Sequence, residues 1–263
     1  LDKIQLASVD GLALDAAVHR VPMGRRPVGT VIQAHGINTD KDEGGMFIRL
    51  AEALAESGFT VIRFSFRGHG ASDGAQRGIT IAGEMLDLEA AVDFAVREHP
   101  GPLFMVAASF GAVATSLSLP WLGEHLSGVV LWNPVLDLRR TFLEPELPWG
   151  IENFSESAQD RLHDEGSLML DGEFELGRVL FAEMRCHQPG ESFTADSTPA
   201  IIIHGDRDSY VSYDIAREAA QKHPRCGFHS IHGSDHGFDS REREDEAITV
   251  SVGWLADRAG SST

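Results

Sequence analysis

The sequence predicts an α/β fold built on a mostly parallel sheet, and three observations carry that expectation. Short β-branched runs end in Gly, Asn, Ser or Asp and give way to longer stretches with helical spacing. The runs Thr30-Val31-Ile32-Gln33-Ala34, Thr60-Val61-Ile62-Arg63-Phe64, Leu103-Phe104-Met105-Val106-Ala107, Val129-Val130-Leu131-Trp132 and Ala200-Ile201-Ile202-Ile203 are nearly continuous in apolar character. Strands buried on both faces of a parallel sheet read this way, whereas one-sided strands alternate. Helical periodicity then fills the intervals, at Met46 to Ser57, Ile81 to Glu98, Phe110 to Leu119, Tyr213 to His223 and Glu242 to Arg258.

Taken in order, the chain opens with two alternating segments, Lys3 to Val9 and Leu12 to His19, around the tight-turn dipeptide Asp10-Gly11. That pattern predicts an N-terminal antiparallel hairpin. Within Glu84 to Val96, the residues Met85, Leu88, Ala91, Val92 and Ala95 recur at three and four, a single apolar stripe opposite acids, as a helix packed on a sheet requires. Between Asn133 and Thr198 the strand pattern stops, and Pro134, Pro145, Pro148, Trp149, Phe154, Phe174, Phe181 and Pro189 fall on amphipathic fragments. Residues 133–198 are therefore expected to form a helical insertion over one end of the sheet, with residues 1–132 and 199–263 forming the core. There is no repeat, low-complexity tract or linker, and the acids of Glu242 to Glu246 suit the solvated start of the last helix.

Composition narrows the function. At 263 residues and 28.6 kDa, with 42% hydrophobic and 24% charged residues, the chain holds enough apolar surface for one core with one insertion. Twenty-two basic residues against 40 acidic ones give a net charge of −18, a field that repels phosphate backbones and anionic bilayers, so no nucleic-acid partner is expected. No apolar run reaches the roughly 18 to 20 residues that span a bilayer, so no membrane insertion is expected. The opening Leu1-Asp2-Lys3-Ile4 has neither a basic flank nor an apolar signal core, and the chain reads as cytoplasmic. Cys186 and Cys226 stand 40 positions apart without a CxxC, which indicates two free thiols.

Four segments could carry chemistry. Ala107-Ala108-Ser109-Phe110-Gly111 lies directly after a buried strand and before a helical run, and small residues two before and two after a serine suit a sharp turn that holds its hydroxyl clear of the sheet. His35-Gly36-Ile37 ends an earlier strand, where a backbone N–H of the following loop can stabilise an oxyanion together with the residue after a nucleophile. His204-Gly205-Asp206-Arg207-Asp208-Ser209-Tyr210-Val211 and Ile231-His232-Gly233-Ser234-Asp235-His236-Gly237-Phe238 follow two later strands. Ser109, Asp208 and His236 thus occur in the order nucleophile, acid, base, each just past a strand, at the sheet edge where loops converge on ligands. Asp206 and the more distant Asp137 compete for the acid, and His232 competes for the base. Gly68-His69-Gly70-Ala71-Ser72-Asp73-Gly74 is not read as a dinucleotide loop, because its third glycine is one place late and no helix begins there. Nor is a metal expected from His229, His232 and His236, since 229 and 232 are an odd number apart on a strand and face opposite ways.

These segments resemble the α/β-hydrolases, within them the serine-aminopeptidase-like or monoacylglycerol-lipase-like group, and most of all the bacterial feruloyl and cinnamoyl esterases. The resemblance runs through His35-Gly36-Ile37, Phe66 to Gly74, Thr80 and Glu84, Ser109, His204-Gly205 with Asp208 and Val211, and Asp235 to Phe238. It implies Ser109 as nucleophile, His236 as base, Asp208 as orienting acid, the amides of Ile37 and Phe110 as oxyanion donors, and a lid in the insertion. It also implies an enzyme that cleaves small or aromatic carboxylic esters through an acyl-serine, with no cofactor. The expected substrate pocket takes His35 and Trp132 from the core and Trp149, Phe154, Phe174 and Phe181 from the lid. A thioesterase acting on acyl carriers would use the same triad, a peptidase would need a site for a charged terminus, and a non-catalytic ligand-binding protein could share the fold. The expected partner is a small-molecule ester, and a homodimer is left open.

Overall fold

A computed structural model describes residues 1–260 of the chain. In order, the elements are β1 (Asp2–Ala7), β2 (Ala13–His19), β3 (Gly29–Ala34), α1 (Met46–Glu56), β4 (Phe59–Phe64), α2 (Ile81–Glu98), β5 (Leu103–Ala108), α3 (Gly111–Leu122) and β6 (Gly128–Trp132). The insertion follows with α4 (Pro148–Asn153), α5 (Glu156–Glu165), β7 (Ser167–Leu170), β8 (Phe174–Gly177), α6 (Arg178–Met184) and α7 (Pro189–Ala195). The chain then returns to β9 (Ala200–Gly205), α8 (Tyr213–Lys222), β10 (Cys226–Ile231) and α9 (Arg241–Gly260).

Eight strands form one sheet in the order β1-β2-β4-β3-β5-β6-β9-β10. The predicted N-terminal hairpin is its antiparallel edge: β1 pairs with β2 and β2 with β4 in antiparallel fashion, and every later pairing is parallel. Alternate residues of each central strand feed two separate cores. Ile32, Ile62, Met105, Leu131 and Ile202 point to the face covered by α2, α3 and α8, where they meet Leu88, Ala112 and Ala216. Val31, Val61, Val106, Val130 and Ile203 point to the other face, against Phe47 and Leu50 of α1 and Ile248 and Leu255 of α9. This two-sided burial is the physical reason the strands read as unbroken apolar runs. Among the described residues, no helix is long and apolar enough to cross a membrane.

The insertion departs from the all-helical expectation in two ways. Residues 167–177 form an antiparallel hairpin, with Leu170 opposite Phe174 and a tip at Asp171 (φ 52°) and Gly172 (φ 75°). Paired positive φ values are what a tight hairpin turn asks for, and Asp-Gly supplies them cheaply. Second, α7 does not lie over the sheet's end. Its Phe193 is fully buried in the core of the α2/α3/α8 face and packs its ring 4.6 Å from that of His223. Residues 189–195 therefore pack with the core rather than with the rest of the insertion. A third cluster joins it to the core, in which Phe142, Phe154, Leu170, Phe174 and Phe181 pack with Ile37, Phe110 and Val113.

One charged residue pins the loop after β4. Arg67 donates from Nε and Nη2 to the carboxylate of Asp87 on α2 at 3.0 and 2.7 Å, and from Nη1 and Nη2 to Asp10 in the β1–β2 turn at 2.8 and 3.0 Å. Asp87 is wholly buried, so removing its partner would strand a charge in a low-dielectric interior. Arg67→Ala is expected to lower the unfolding free energy by about 3–5 kcal/mol. Urea denaturation checks this, and a loss below about 1 kcal/mol, the range of exposed pairs, would contradict it.

Candidate active site

Ser109 sits between β5 and α3 with φ 49°, in the left-handed region that non-glycine residues seldom occupy. Two hydrogen bonds hold it there: its amide donates to Trp132 O at 2.8 Å and its carbonyl accepts from Val135 N at 3.0 Å. The turn is tight because α3 begins directly on the end of β3. A Cβ at Gly111 would lie 2.5 Å from the carbonyl oxygens of both Ala34 and His35, so no side chain fits. The first small position is less demanding, and Ala107 is accommodated, fully buried, in register with Ala34 and Leu131.

His236 and Asp208 reach Ser109 from the loops after β10 and β9. His236 Nε2 lies 3.1 Å from Ser109 Oγ, and His236 Nδ1 lies 2.8 Å from Asp208 Oδ2. A carboxylate only accepts, so Nδ1–H donates to Asp208 and Nε2 is left to accept a hydrogen bond from Ser109 Oγ. Asp208 is itself aimed by the amides of Tyr210 and Val211, each 2.8 Å from Oδ1. Asp235 braces the histidine loop to the acid loop, accepting from Ser209 N and Oγ and from His236 N. Burial alone would depress the pKa of His236. The charge and hydrogen bond of Asp208, with further pull from Glu43 and Asp235, outweigh burial and leave the pKa above its ordinary value. The imidazole also carries a ring stack: Tyr210 lies 4.7 Å from it at 7°, and Trp149 lies 4.8 Å from Tyr210 at 12°.

The competing residues are occupied elsewhere. Asp206 accepts from Gly233 N and pairs with the exposed His232, His229 pairs with Glu246, and Asp137 caps the turn at Arg140. Among the described residues, no three His, Cys, Asp or Glu side chains are placed to hold a metal ion. Cys186 and Cys226 are both free thiols.

The loop after β3 is held peptide by peptide. His35 Nε2 accepts from Phe66 N at 2.9 Å, which leaves Nδ1–H to donate to Gly36 O at 2.7 Å. Burial drives the pKa of this ring well below its ordinary value, in keeping with the neutral tautomer that this pattern requires. Gly36 N donates to Glu43 Oε2 at 2.7 Å, and His69 Nε2 lies 2.8 Å from Ile37 O. Fixing the Gly36 carbonyl fixes the Ile37 amide on the opposite side of the same trans peptide. Among the described residues, neither the Ile37 nor the Phe110 amide donates to a protein acceptor, although both residues are buried.

Ser109 and His236 open onto a cavity of about 80 Å³ lined also by Gly36, Ile37, Glu43, Phe142, Trp149 and Tyr210. Of the expected pocket residues only Trp149 lines it. His35 does not, because both its ring nitrogens are engaged by backbone. Trp132 does not, because strand alternation sends it to the opposite face, where it lies against Phe47 and Phe238 and donates from Nε1 to Ser251 Oγ at 2.9 Å. Phe154 is buried among Phe142, Trp149 and Phe181, and Phe174 stacks on His69 at 4.7 Å. Phe181 lines a separate cavity of about 250 Å³ inside the insertion, and Phe142 lines both. The insertion meets the core at the hairpin tip, where Asp171 accepts from Asn38 Nδ2 at 2.9 Å, Trp149 Nε1 at 3.0 Å and Asn153 Nδ2 at 3.1 Å. Glu43, Phe142 and Asp171 were not singled out from the sequence as site residues; for Asp171 the Asp-Gly dipeptide was a usable signal. Tyr210 lies in the segment His204 to Val211, whose pattern points to Asp208 and carries no sign of the ring's position.

Residues 25–169, over half of the chain, match the family model described as serine aminopeptidase, S33. No curated protein matches the sequence. Among solved structures, Est1E from Butyrivibrio proteoclasticus with ferulic acid bound is 19% identical, with a TM-score of 0.83 over 98% of this chain and 99% of that one. The Pyrococcus furiosus esterase Pf2001 is 20% identical, with a TM-score of 0.74 over 97% and 90%. The esterase domain of a Rhodothermus marinus protein is 20% identical, with a TM-score of 0.70 over 97% and 98%. At such identities the likeness to these structures speaks to the fold, which is that of the α/β-hydrolases. With the family model spanning the turn at Ser109 and the loop after β3, the chain belongs to the serine aminopeptidase S33 family of α/β-hydrolases.

Proposed function

We propose that this protein is a serine esterase that cleaves small or aromatic carboxylic esters through an acyl-enzyme on Ser109. The observation that carries the reading is the unbroken relay from Ser109 Oγ through His236 to Asp208, at 3.1 and 2.8 Å, on the wall of a cavity. In the first step His236 Nε2 takes the Ser109 proton as Oγ attacks the ester carbonyl carbon. The carbonyl oxygen becomes an oxyanion beside the unpartnered amides of Ile37 and Phe110, where preorganised donors lower the barrier most. The imidazolium then protonates the departing alkoxide oxygen, and the acyl group remains on Ser109. Water, deprotonated by His236, attacks the acyl carbonyl and releases the acid and the serine.

A cavity of about 80 Å³ is small beside typical ligand pockets of roughly 300–1,000 Å³, which favours a short or flat acyl group. The bound ferulic acid named for the Est1E structure supports an aromatic acid as one such group. The test is a panel of 4-nitrophenyl esters of acetic, butyric, benzoic and long-chain acids, with an aminoacyl 4-nitroanilide alongside. Turnover of the short and aromatic esters is expected; a preference for acyl chains beyond about twelve carbons would contradict the small pocket. Faster cleavage of the anilide would redirect the reading to a peptidase.

Ser109→Ala is expected to lower kcat by about 10⁶-fold and to abolish labelling by a fluorophosphonate. Retention of more than a hundredth of wild-type turnover, on the order of 10⁴ above that floor, would exclude Ser109 as nucleophile. Asp208→Asn removes the charge that offsets burial at His236, so its imidazole should titrate at lower pH than in the wild type. NMR titration of that ring reads the shift directly, and an unchanged or higher midpoint would show that Asp208 does not govern it.

A further inference from the structure

The serine-esterase reading assigns no role to Glu43, a carboxylate that lines the cavity itself. Glu43 lies there with Ser109 and His236, and its Oε2 accepts from Gly36 N at 2.7 Å. Its backbone is held at φ 46°, followed by Gly44 at 61° and Gly45 at 98°. A non-glycine residue in that region is strained and persists where its surroundings over-determine it, most often at functional sites. Gly36 is the spacer between the two chemistries: a Cβ at that position would lie 3.4 Å from Glu43 Oε1 and 3.4 Å from Ser109 Cβ.

We propose that Glu43 is a positioning residue of this site, holding the Gly36 amide and through it the orientation of the Ile37 amide, while its charge stabilises the protonated form of His236. The proposal rests on the esterase reading. Three consecutive peptides after β3 are each held by one side chain, namely Glu43 on Gly36 N, His35 on Gly36 O and His69 on Ile37 O. Releasing the first frees the peptide that precedes the anion-binding amide to rotate. A glutamine would keep an oxygen acceptor for Gly36 N and lose the charge; an alanine would lose both.

The charge is the second half of the role. Burial pushes the pKa of Glu43 up to about 7, with the Gly36 hydrogen bond and the His236 charge lowering it and Asp40 raising it. The other groups facing it are accounted for. His236 comes from the loop after β10 with Asp208 and Asp235 behind it, and His35 at the end of β3 is buried and neutral. On its own loop, Lys41 is paired with Asp15 and Asp42 with Arg63. From the lid, the oxygens of Asp171 are taken by Asn38, Trp149 and Asn153. Glu43 and His236 therefore titrate as a coupled pair, and the acid limb of kcat/KM belongs to both. Removing a negative charge beside an imidazolium favours the neutral base, so the limb should move to lower pH.

The experiment measures kcat and KM for 4-nitrophenyl acetate from pH 5 to 9 with wild type, Glu43→Gln and Glu43→Ala. Glu43→Ala is expected to lose about 10²-fold in kcat with KM within about threefold, the signature of a misplaced transition-state donor. Glu43→Gln should recover most of that loss while shifting the acid limb of kcat/KM to lower pH. Wild-type kcat in Glu43→Ala, or an unmoved acid limb in Glu43→Gln, would overturn the proposal. If Glu43→Ala fails to melt cooperatively, the nearly isosteric Glu43→Gln decides by its pH profile alone. A wild-type protein that neither hydrolyses the ester nor takes a fluorophosphonate on Ser109 would sink the esterase reading itself. An active, labelled wild type with indifferent Glu43 variants would sink only the role of Glu43.

Discussion

A serine backbone forced into the left-handed region is the constraint on which the rest of the site depends. Ser109 is kept at φ 49° because β5 is locked between β3 and β6 while α3 starts against the carbonyls of Ala34 and His35. Strain of this kind survives only where the surrounding structure leaves the chain no alternative. The same packing that closes the turn also sets the neighbours of the hydroxyl. The Ile37 loop leaves β3 beside it, and the loops after β9 and β10 bring the acid and the imidazole to the same edge. The parallel sheet is thus a jig that places four loops at once.

Much of this was legible in the chain. The five buried strands announced themselves because both their faces are covered, and the Asp10-Gly11 hairpin because tight turns have narrow chemistry. Ser109, Asp208 and His236 were legible because each follows a readable strand after few residues, so sheet geometry alone limits where they can go. What failed did so for physical reasons. The hairpin at residues 167–177 alternates weakly, its Asp171-Gly172 tip being the only clear sign, and α7 looked like lid because nothing local marks Phe193 as a core residue. His35 and Trp132 were misplaced in the pocket. At a strand's end, one residue of register decides between cavity and core, and a ring nitrogen's partner is set by backbone brought from elsewhere. Glu43 was invisible for a related reason: in an acidic loop a carboxylate aimed inward has the same sequence signature as one in water.

The insertion meets the residues around Ser109 and His236 at two points of different character. Asp171 collects hydrogen bonds from Asn38 on the core and from Trp149 and Asn153 on the lid, so it joins the hairpin tip to the loop that carries the Ile37 amide. Trp149, held by that same carboxylate, stacks on Tyr210, which stacks on His236. The hairpin tip, the indole, the Tyr210 ring and the His236 imidazole thus form one continuous series of contacts.

The carboxylate on the cavity wall also bears on how a product departs. A neutral ester entering beside Glu43 meets no net repulsion, whereas the acid it would yield is born as an anion next to oxygens of like sign. The chain as a whole, with a net charge of −18, adds a field of the same sign. The electrostatics thus favour discharge over lingering, and a site of this kind would resist clogging by its own spent acid.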